Sequence, residues 1–171
     1  MLIGLAAGSE SGIRGMIIYV SIYIIMNIAI FSVLLSMKVK NQYVENISDI
    51  SGLSKKNPII SIVLTIAMFS MAGIPPLAGF FGKFYIFIAA LESKLFILAI
   101  TGVLTSVIAA FYYIRIIKVI FFDEPVNEIE MIMNIKVKFI ILMSTLFITF
   151  FVVYPSIITN IASKASYTIF Y

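Results

Sequence analysis

Apolar residues fall in long unbroken blocks, and the charged residues gather between them. From Ile13 to Met37 the chain is apolar apart from Arg14 and single small polar residues, and it closes at Lys38, Val39, Lys40 and Asn41. Further blocks run from Pro58 to Ala72, Leu77 to Leu91, Leu95 to Phe122 and Phe139 to about Ile158. A helix needs about 20 apolar residues to cross a bilayer, whereas the strands of a membrane barrel alternate. Continuous blocks therefore predict an all-α integral membrane protein of about five transmembrane helices. The spans are expected at about 13–37, 58–72, 77–91 and 95–122, with a C-terminal span and tail within 139–171.

The punctuation between blocks sharpens this. Residues 41–57 are polar, with Glu45, Asp49, Lys55 and Lys56, and read as an extramembrane loop with room for one short helix. Asn57-Pro58 marks a helix start, because the first helical position needs no N–H donor. Gly73-Ile74-Pro75-Pro76 must stop a helix, since two prolines remove two donors and push the preceding residue out of the α region. Glu92-Ser93-Lys94 separates the next two blocks, and residues 123–138, with Asp123, Glu124, Glu128 and Glu130, read as a loop. The apolar start, Met1 to Gly8, is too short to span and lacks the basic lead of a signal peptide. Residues 1–12 read as the end of a helix completed by another chain.

Composition narrows the chemistry. Of 171 residues 62% are hydrophobic and 12% charged, which leaves no sizeable soluble domain. There is no Cys and no His. This excludes disulfides, thiol nucleophiles, iron–sulfur ligation, His-held haem and the usual zinc sites. No cofactor-binding or metal-binding residue is expected in this chain. The net charge of +4 is scattered between apolar blocks and never forms a basic stretch, so the partner is the lipid bilayer and not nucleic acid. If every block crosses the membrane, Lys38, Lys40, Lys55, Lys56, Lys94 and Lys164 lie on one side. Arg14, Arg115, Lys118, Lys136 and Lys138 then lie on the other, and the positive-inside rule decides nothing.

Lys83 is the informative charge, lying in mid-block roughly 10 Å from either end at 1.5 Å per residue. A lysine near the midplane costs about 2.5 to 3.5 kcal/mol on insertion scales and usually faces a polar interior path. The plainer alternatives are snorkelling, or a structural ion pair with another helix. Gly79 and Gly82, one turn apart just before it, allow a neighbouring backbone or a file of water to approach. A broken membrane helix exposes carbonyls tolerated only where protein or water covers them. A lysine beside such a break, withdrawn from water, suits a proton relay. Arg115 and Lys118, three apart at the end of their block, fit interfacial anchors. Tyr112 and Tyr113 fit packing or belt aromatics, although a hydroxyl one turn from a cation can order water. Asn27, Thr101, Thr105 and Ser106 suit interhelical or i−4 hydrogen bonds. Glu10 reads as a solvated acid near a helix start.

The run Asp49-Ile50-Ser51-Gly52-Leu53-Ser54-Lys55-Lys56-Asn57-Pro58, followed by Met68 to Tyr85 with Gly73-Ile74-Pro75-Pro76-Leu77-Ala78-Gly79-Phe80-Phe81-Gly82-Lys83, resembles the antiporter-like subunit 2 family of respiratory complex I, called subunit N in bacteria. Ser106 to Lys118 and Phe122-Asp123-Glu124-Pro125 continue the likeness, which covers nearly all of Leu2 to Pro125. Beyond Pro125 the chain fits in hydropathy only. The resemblance implies an antiporter-like helix bundle of inverted five-helix repeats, with residues 13–122 as the second repeat. Its broken helix is marked by Gly73, Pro75, Pro76, Gly79 and Gly82. Lys83 then corresponds to the lysine of the proton pathway, with Tyr113, Arg115 and Lys118 as weaker candidates.

By the same resemblance the chain belongs to an NADH:ubiquinone reductase that translocates protons, with no redox chemistry of its own. NADH, FMN, iron–sulfur clusters and ubiquinone sit elsewhere in that complex. Family members are more than twice as long, so the chain reads as the C-terminal part of a split subunit. Its partners would be the N-terminal piece and the neighbouring antiporter-like and other membrane subunits. The Ile- and Phe-rich composition and the split point to a mitochondrial inner membrane, multi-pass, with a bacterial inner membrane as the alternative. A subunit of a related multi-subunit cation/proton antiporter, or a purely structural membrane fragment, are the competing functions.

Overall fold

The structure, a computed structural model, describes residues 1–126 and 128–170. Asn127, in the expected 123–138 loop, and Tyr171, at the end of the tail, lie outside the described residues. In chain order the elements are α1 (Leu2–Ala6), α2 (Glu10–Leu34), β1 (Met37–Val39), β2 (Gln42–Tyr43), a 3-10 turn at Ile47–Ile50 and α3 (Leu53–Lys56). Then come α4 (Pro58–Ala72), α5 (Ala78–Glu92), α6 (Phe96–Phe122), β3 (Ile129–Met131), α7 (Ile135–Phe150) and α8 (Ser156–Phe170).

Helix α2 is the axis of the bundle. The Ser9 hydroxyl caps it by accepting from the Gly12 amide at 3.2 Å, and Glu10 complements the first turn. Gly12, Gly15, Ile18, Ile22, Met26, Ala29, Ile30 and Val33 recur every three or four residues and bury one face. Against it α5 approaches closely, because Gly15 meets the Tyr85 backbone and Gly82 meets the Tyr19 ring and Cα. Ile148, Phe151 and Ala162 of the C-terminal part pack on Ile18, Ile22 and Met26, so α7 and α8 complete this core.

Several expectations need correction. Residues 1–12 are not one helix end: α1 stops at Ala6, the chain turns at Gly8 with φ +58°, and residues 10–12 open α2. The fold is not wholly helical, because β1 pairs antiparallel with both β2 and β3 in a three-stranded sheet. The 123–138 loop therefore carries β3 and the first turn of α7. Met37, Ile129 and Met131 of the strands pack with Val33, Leu53 and Ile141. The expected span at 139–158 is divided, since α7 ends at Phe150 and Tyr154-Pro155 leads into α8. A proline there has no N–H to continue the ladder.

The strand pairing also fixes chain direction. Met37, just after α2, lies opposite Met131, well after α6, and the Gly52 amide donates to the Val119 carbonyl at 3.0 Å. At the other end, Ser93 Oγ donates to the Ala7 carbonyl at 3.0 Å, so α5 finishes beside the start of α2. Between the end of α2 and the end of α6, the pair α4–α5 makes one interrupted passage, not two. Among the described residues only α2 and α6 are long and apolar enough to cross a membrane by themselves. Helices α4 and α5, with 15 residues each, span about 22 Å apiece at 1.5 Å per residue. The count of five full spans, and the charge balance built on it, therefore changes. Lys38, Lys40, Lys55, Lys56, Lys118, Lys136 and Lys138 all lie at the sheet end, with Arg115 in the last turns of α6 leading to it. Arg14 and Lys94 lie at the other end.

Candidate functional site

The site is the break between α4 and α5. Gly73 closes α4 in the left-handed region at φ +89°, which a glycine adopts without a Cβ penalty. Its amide donates to the carbonyls of Phe69 and Ser70 at 3.1 and 3.0 Å, and the Ile74 amide donates to Phe69 at 3.1 Å. Four carbonyls at a helix end lack intrahelical partners, so those of Met71 and Ala72 remain. Lys83 takes both: its Nζ donates to Met71 O at 3.0 Å and to Ala72 O at 2.9 Å. A third bond runs to Ser106 Oγ on α6 at 2.9 Å. An ammonium has three donors, and all three are used. The negative end of the α4 dipole adds to the attraction.

The chain folds back sharply enough for this because Gly79 has no side chain. A Cβ there would collide with the Ser70 carbonyl. Ser70, fully buried, ties the break to α2, its hydroxyl accepting from the Gly79 amide and donating to Met26 Sδ, each at 3.0 Å. The two prolines and Ile74 stand exposed at the outer edge of the turn. Gly82, by contrast, serves the contact with Tyr19.

Two cavities flank Lys83. One, of about 270 Å³, is lined by Lys83, Thr105, Ser106 and three tyrosines, Tyr19, Tyr23 and Tyr113. The other, of about 440 Å³, opens between α5 and α6 and is largely apolar, with Lys83 and Ser106 on its wall. Lys83, Phe87 and Ser106 are common to both. No ion pair found among the described residues involves Lys83.

Of the sequence candidates, the structure brings together Lys83, Gly73, Gly79 and Tyr113. Arg115 and Lys118 line neither cavity. Both are exposed, and Lys118 pairs with Asp123 at 3.0 Å. Asn27, Thr101 and Thr105 back-bond to the carbonyls four residues earlier, and Tyr112 is exposed. Ser106, expected to make an interhelical or i−4 hydrogen bond, makes the interhelical one, to Lys83 of α5. Tyr19 and Tyr23 had no sequence signal beyond their spacing of four on α2, which puts both on one helical face.

The family model described as "NADH:quinone oxidoreductase/Mrp antiporter, TM" matches residues 1–109. NADH-quinone oxidoreductase subunit N of Paramagnetospirillum magneticum is 46% identical over 170 residues, covering 99% of this chain and 35% of that protein. The subunit N of Pelagibacter ubique is 50% identical over 163 residues, 95% of this chain and again 35% of its own length. The alignment with the first of these thus continues past Pro125 into the C-terminal helices, beyond the motifs. A chain of respiratory complex I from Thermus thermophilus, solved with bound aureothin, superposes with a TM-score of 0.77 at 22% identity, over 92% of this chain and 36% of that one. The two share a fold. These relatives are bacterial, and the expected mitochondrial membrane draws no support from them.

Proposed function

The chain belongs to the NADH:quinone oxidoreductase/Mrp antiporter transmembrane family, and on that premise we propose that it forms part of an antiporter-like subunit in the membrane arm of a respiratory NADH:quinone oxidoreductase. There Lys83 relays protons whose translocation is coupled to electron transfer in other subunits. The redox groups belong to those subunits, and the membrane is the bacterial inner membrane. The observation that carries the reading is the set of partners around Lys83. Two carbonyls and a hydroxyl steady the ammonium without a fixed counter-charge, so no carboxylate of this chain must be separated from it when the proton leaves.

The curated relatives are nearly three times as long, the matched part being 35% of each. Helix α6 presents Ile97, Ile100, Leu104, Val107 and Phe111 outward, Ile97 with 82% of its surface exposed. The remaining helices of the subunit and its neighbours in the membrane arm are the proposed partners, and lipid covers what they leave.

The test is Lys83→Met in the assembled complex, measured as protons translocated per electron pair in vesicles beside complex abundance on native gels. Abundance should stay near wild type, because removing a half-buried charge also removes its desolvation cost. Pumping should fall, and Lys83→Arg should restore little of it, since guanidinium does not release its proton. Wild-type stoichiometry in Lys83→Met would sink the relay. Purification with cation-transport subunits and no redox partner would move the chain to the related antiporter class.

A further inference from the structure

We infer that Ser106 is the relay residue through which Lys83 exchanges its proton with the tyrosine-lined cavity. This rests on the proton-relay reading of Lys83 and adds a route to it. The three partners of Lys83 are not equivalent. The carbonyls of Met71 and Ala72 can only accept, whereas a serine hydroxyl both donates and accepts. A charged Lys83 donates to all three. A neutral amine keeps two N–H bonds, one for each carbonyl, and turns a lone pair towards the third position. Of the three partners, Ser106 alone, 2.9 Å from Nζ, can serve that lone pair by donating.

The transfer balances without any further group but water, for which the 270 Å³ cavity has ample room. The hydroxyl proton of Ser106 passes to a cavity water as the Nζ–H bond breaks and that proton passes to Oγ. The products are a hydronium, a neutral amine and a serine whose new O–H already points at Nζ. Reversal recharges the lysine. No side chain has to move, and all three contacts persist in both states. The position matches the role, because Lys83 and Ser106 are the polar residues shared by the two cavities on either side of them. A proton passing from one cavity to the other meets this pair.

Ser106→Ala, Ser106→Cys and Ser106→Thr in the whole complex decide the matter, with Lys83→Met alongside. Ser106→Ala should cut proton translocation about tenfold, as expected for losing a hydrogen bond to a charged group. Ser106→Cys keeps the size and replaces the hydroxyl by a weak donor, so it should fall similarly while assembling. Ser106→Thr, which retains the hydroxyl, should recover most of the rate. Normal pumping in Ser106→Ala or Ser106→Cys, with Lys83→Met defective, overturns the serine route and leaves the relay standing. An equal loss in Ser106→Thr and Ser106→Ala at normal abundance overturns it too, since volume would then matter and not the hydroxyl. Normal pumping in Lys83→Met removes the relay itself.

Discussion

Lysines at the sheet end and the lysine at the break are the same group held in opposite ways. Lys55 reaches Glu124 at 2.6 Å, Lys56 reaches Glu128 at 3.2 Å and Lys118 reaches Asp123 at 3.0 Å. Each of those contacts joins full charges in water, where screening and side-chain entropy cancel most of the attraction. Lys83 meets no full charge, only dipoles fixed in place by a helix end and by α6. A carboxylate partner stabilises the ammonium selectively, whereas a carbonyl pair and a hydroxyl can serve the ammonium and the amine alike. Those surface lysines are each tied to a carboxylate, and the interior one is tied to none of this chain's described acids.

The strongest way to break this contrast is to spoil the geometry that delivers the α4 carbonyls. Gly79→Leu would drive a side chain into the Ser70 carbonyl and hydroxyl, at a contact already closed on both sides. Overpacking a filled site costs about 1 to 3 kcal/mol or more. The expected result is a loss of assembled complex of about tenfold on native gels, and more if α5 cannot seat against α2. Full abundance and full pumping would mean that the close approach at Gly79 is not what holds Lys83 in place.

Much of this geometry can be read from the residues alone, and the unread part has physical causes. Pro58 and the Gly-Ile-Pro-Pro run announce their helix ends because proline and glycine act locally on the backbone. Lys83 is conspicuous because a charge in an apolar block is costly wherever the block folds. Its partners are invisible, since backbone carbonyls belong to every residue and only the return of the chain at Gly79 selects Met71 and Ala72. Ser106 lies 23 residues further on, and nothing local separates it from Thr101 or Thr105. The count of five spans is not confirmed for a related reason: hydropathy cannot tell two crossings from one crossing interrupted at mid-depth. The strand alternation in Met37-Lys38-Val39 and Ile129-Glu130-Met131 is present, but three residues are too few to outweigh a loop reading.

A variant that makes the interior resemble the surface tests the contrast more finely. Ser106→Asp would place a carboxylate where the hydroxyl now accepts from Lys83. At an effective dielectric near 20 a pair about 4 Å apart attracts by roughly 4 kcal/mol, which favours the charged lysine heavily over the neutral one. Complex abundance should stay within about twofold of wild type, since the new acid has a cation waiting and the serine it replaces is of similar reach. Proton translocation should fall below about a tenth, because a locked ammonium has no neutral form to cycle through. Pumping at the wild-type level would show that a fixed counter-charge is compatible with the relay.

The smallest effect is expected where the ion pairs are most visible. In the Lys55–Glu124 pair the side chains are 49% and 85% exposed, which puts it in the class that contributes about 0 to 1 kcal/mol. The sheet end is held by other means. The Gly52 amide bonds to Val119 O, Pro125 packs against Gly52, and Met37, Leu53, Val119 and Ile120 form a buried apolar cluster beneath. Lys55→Gln should therefore change stability by less than about 0.5 kcal/mol, and Glu124→Gln likewise. The double variant should show a coupling that shrinks further as salt is raised, since a Debye length near 8 Å at physiological ionic strength already screens exposed charges. Thermal unfolding of the complex in detergent measures the first, and vesicle pumping measures any functional share. If Lys55→Gln lowers protons per electron pair as far as Lys83→Met does, the two lysines act on the same event. The division between an anchoring end and an exchanging interior would then be wrong.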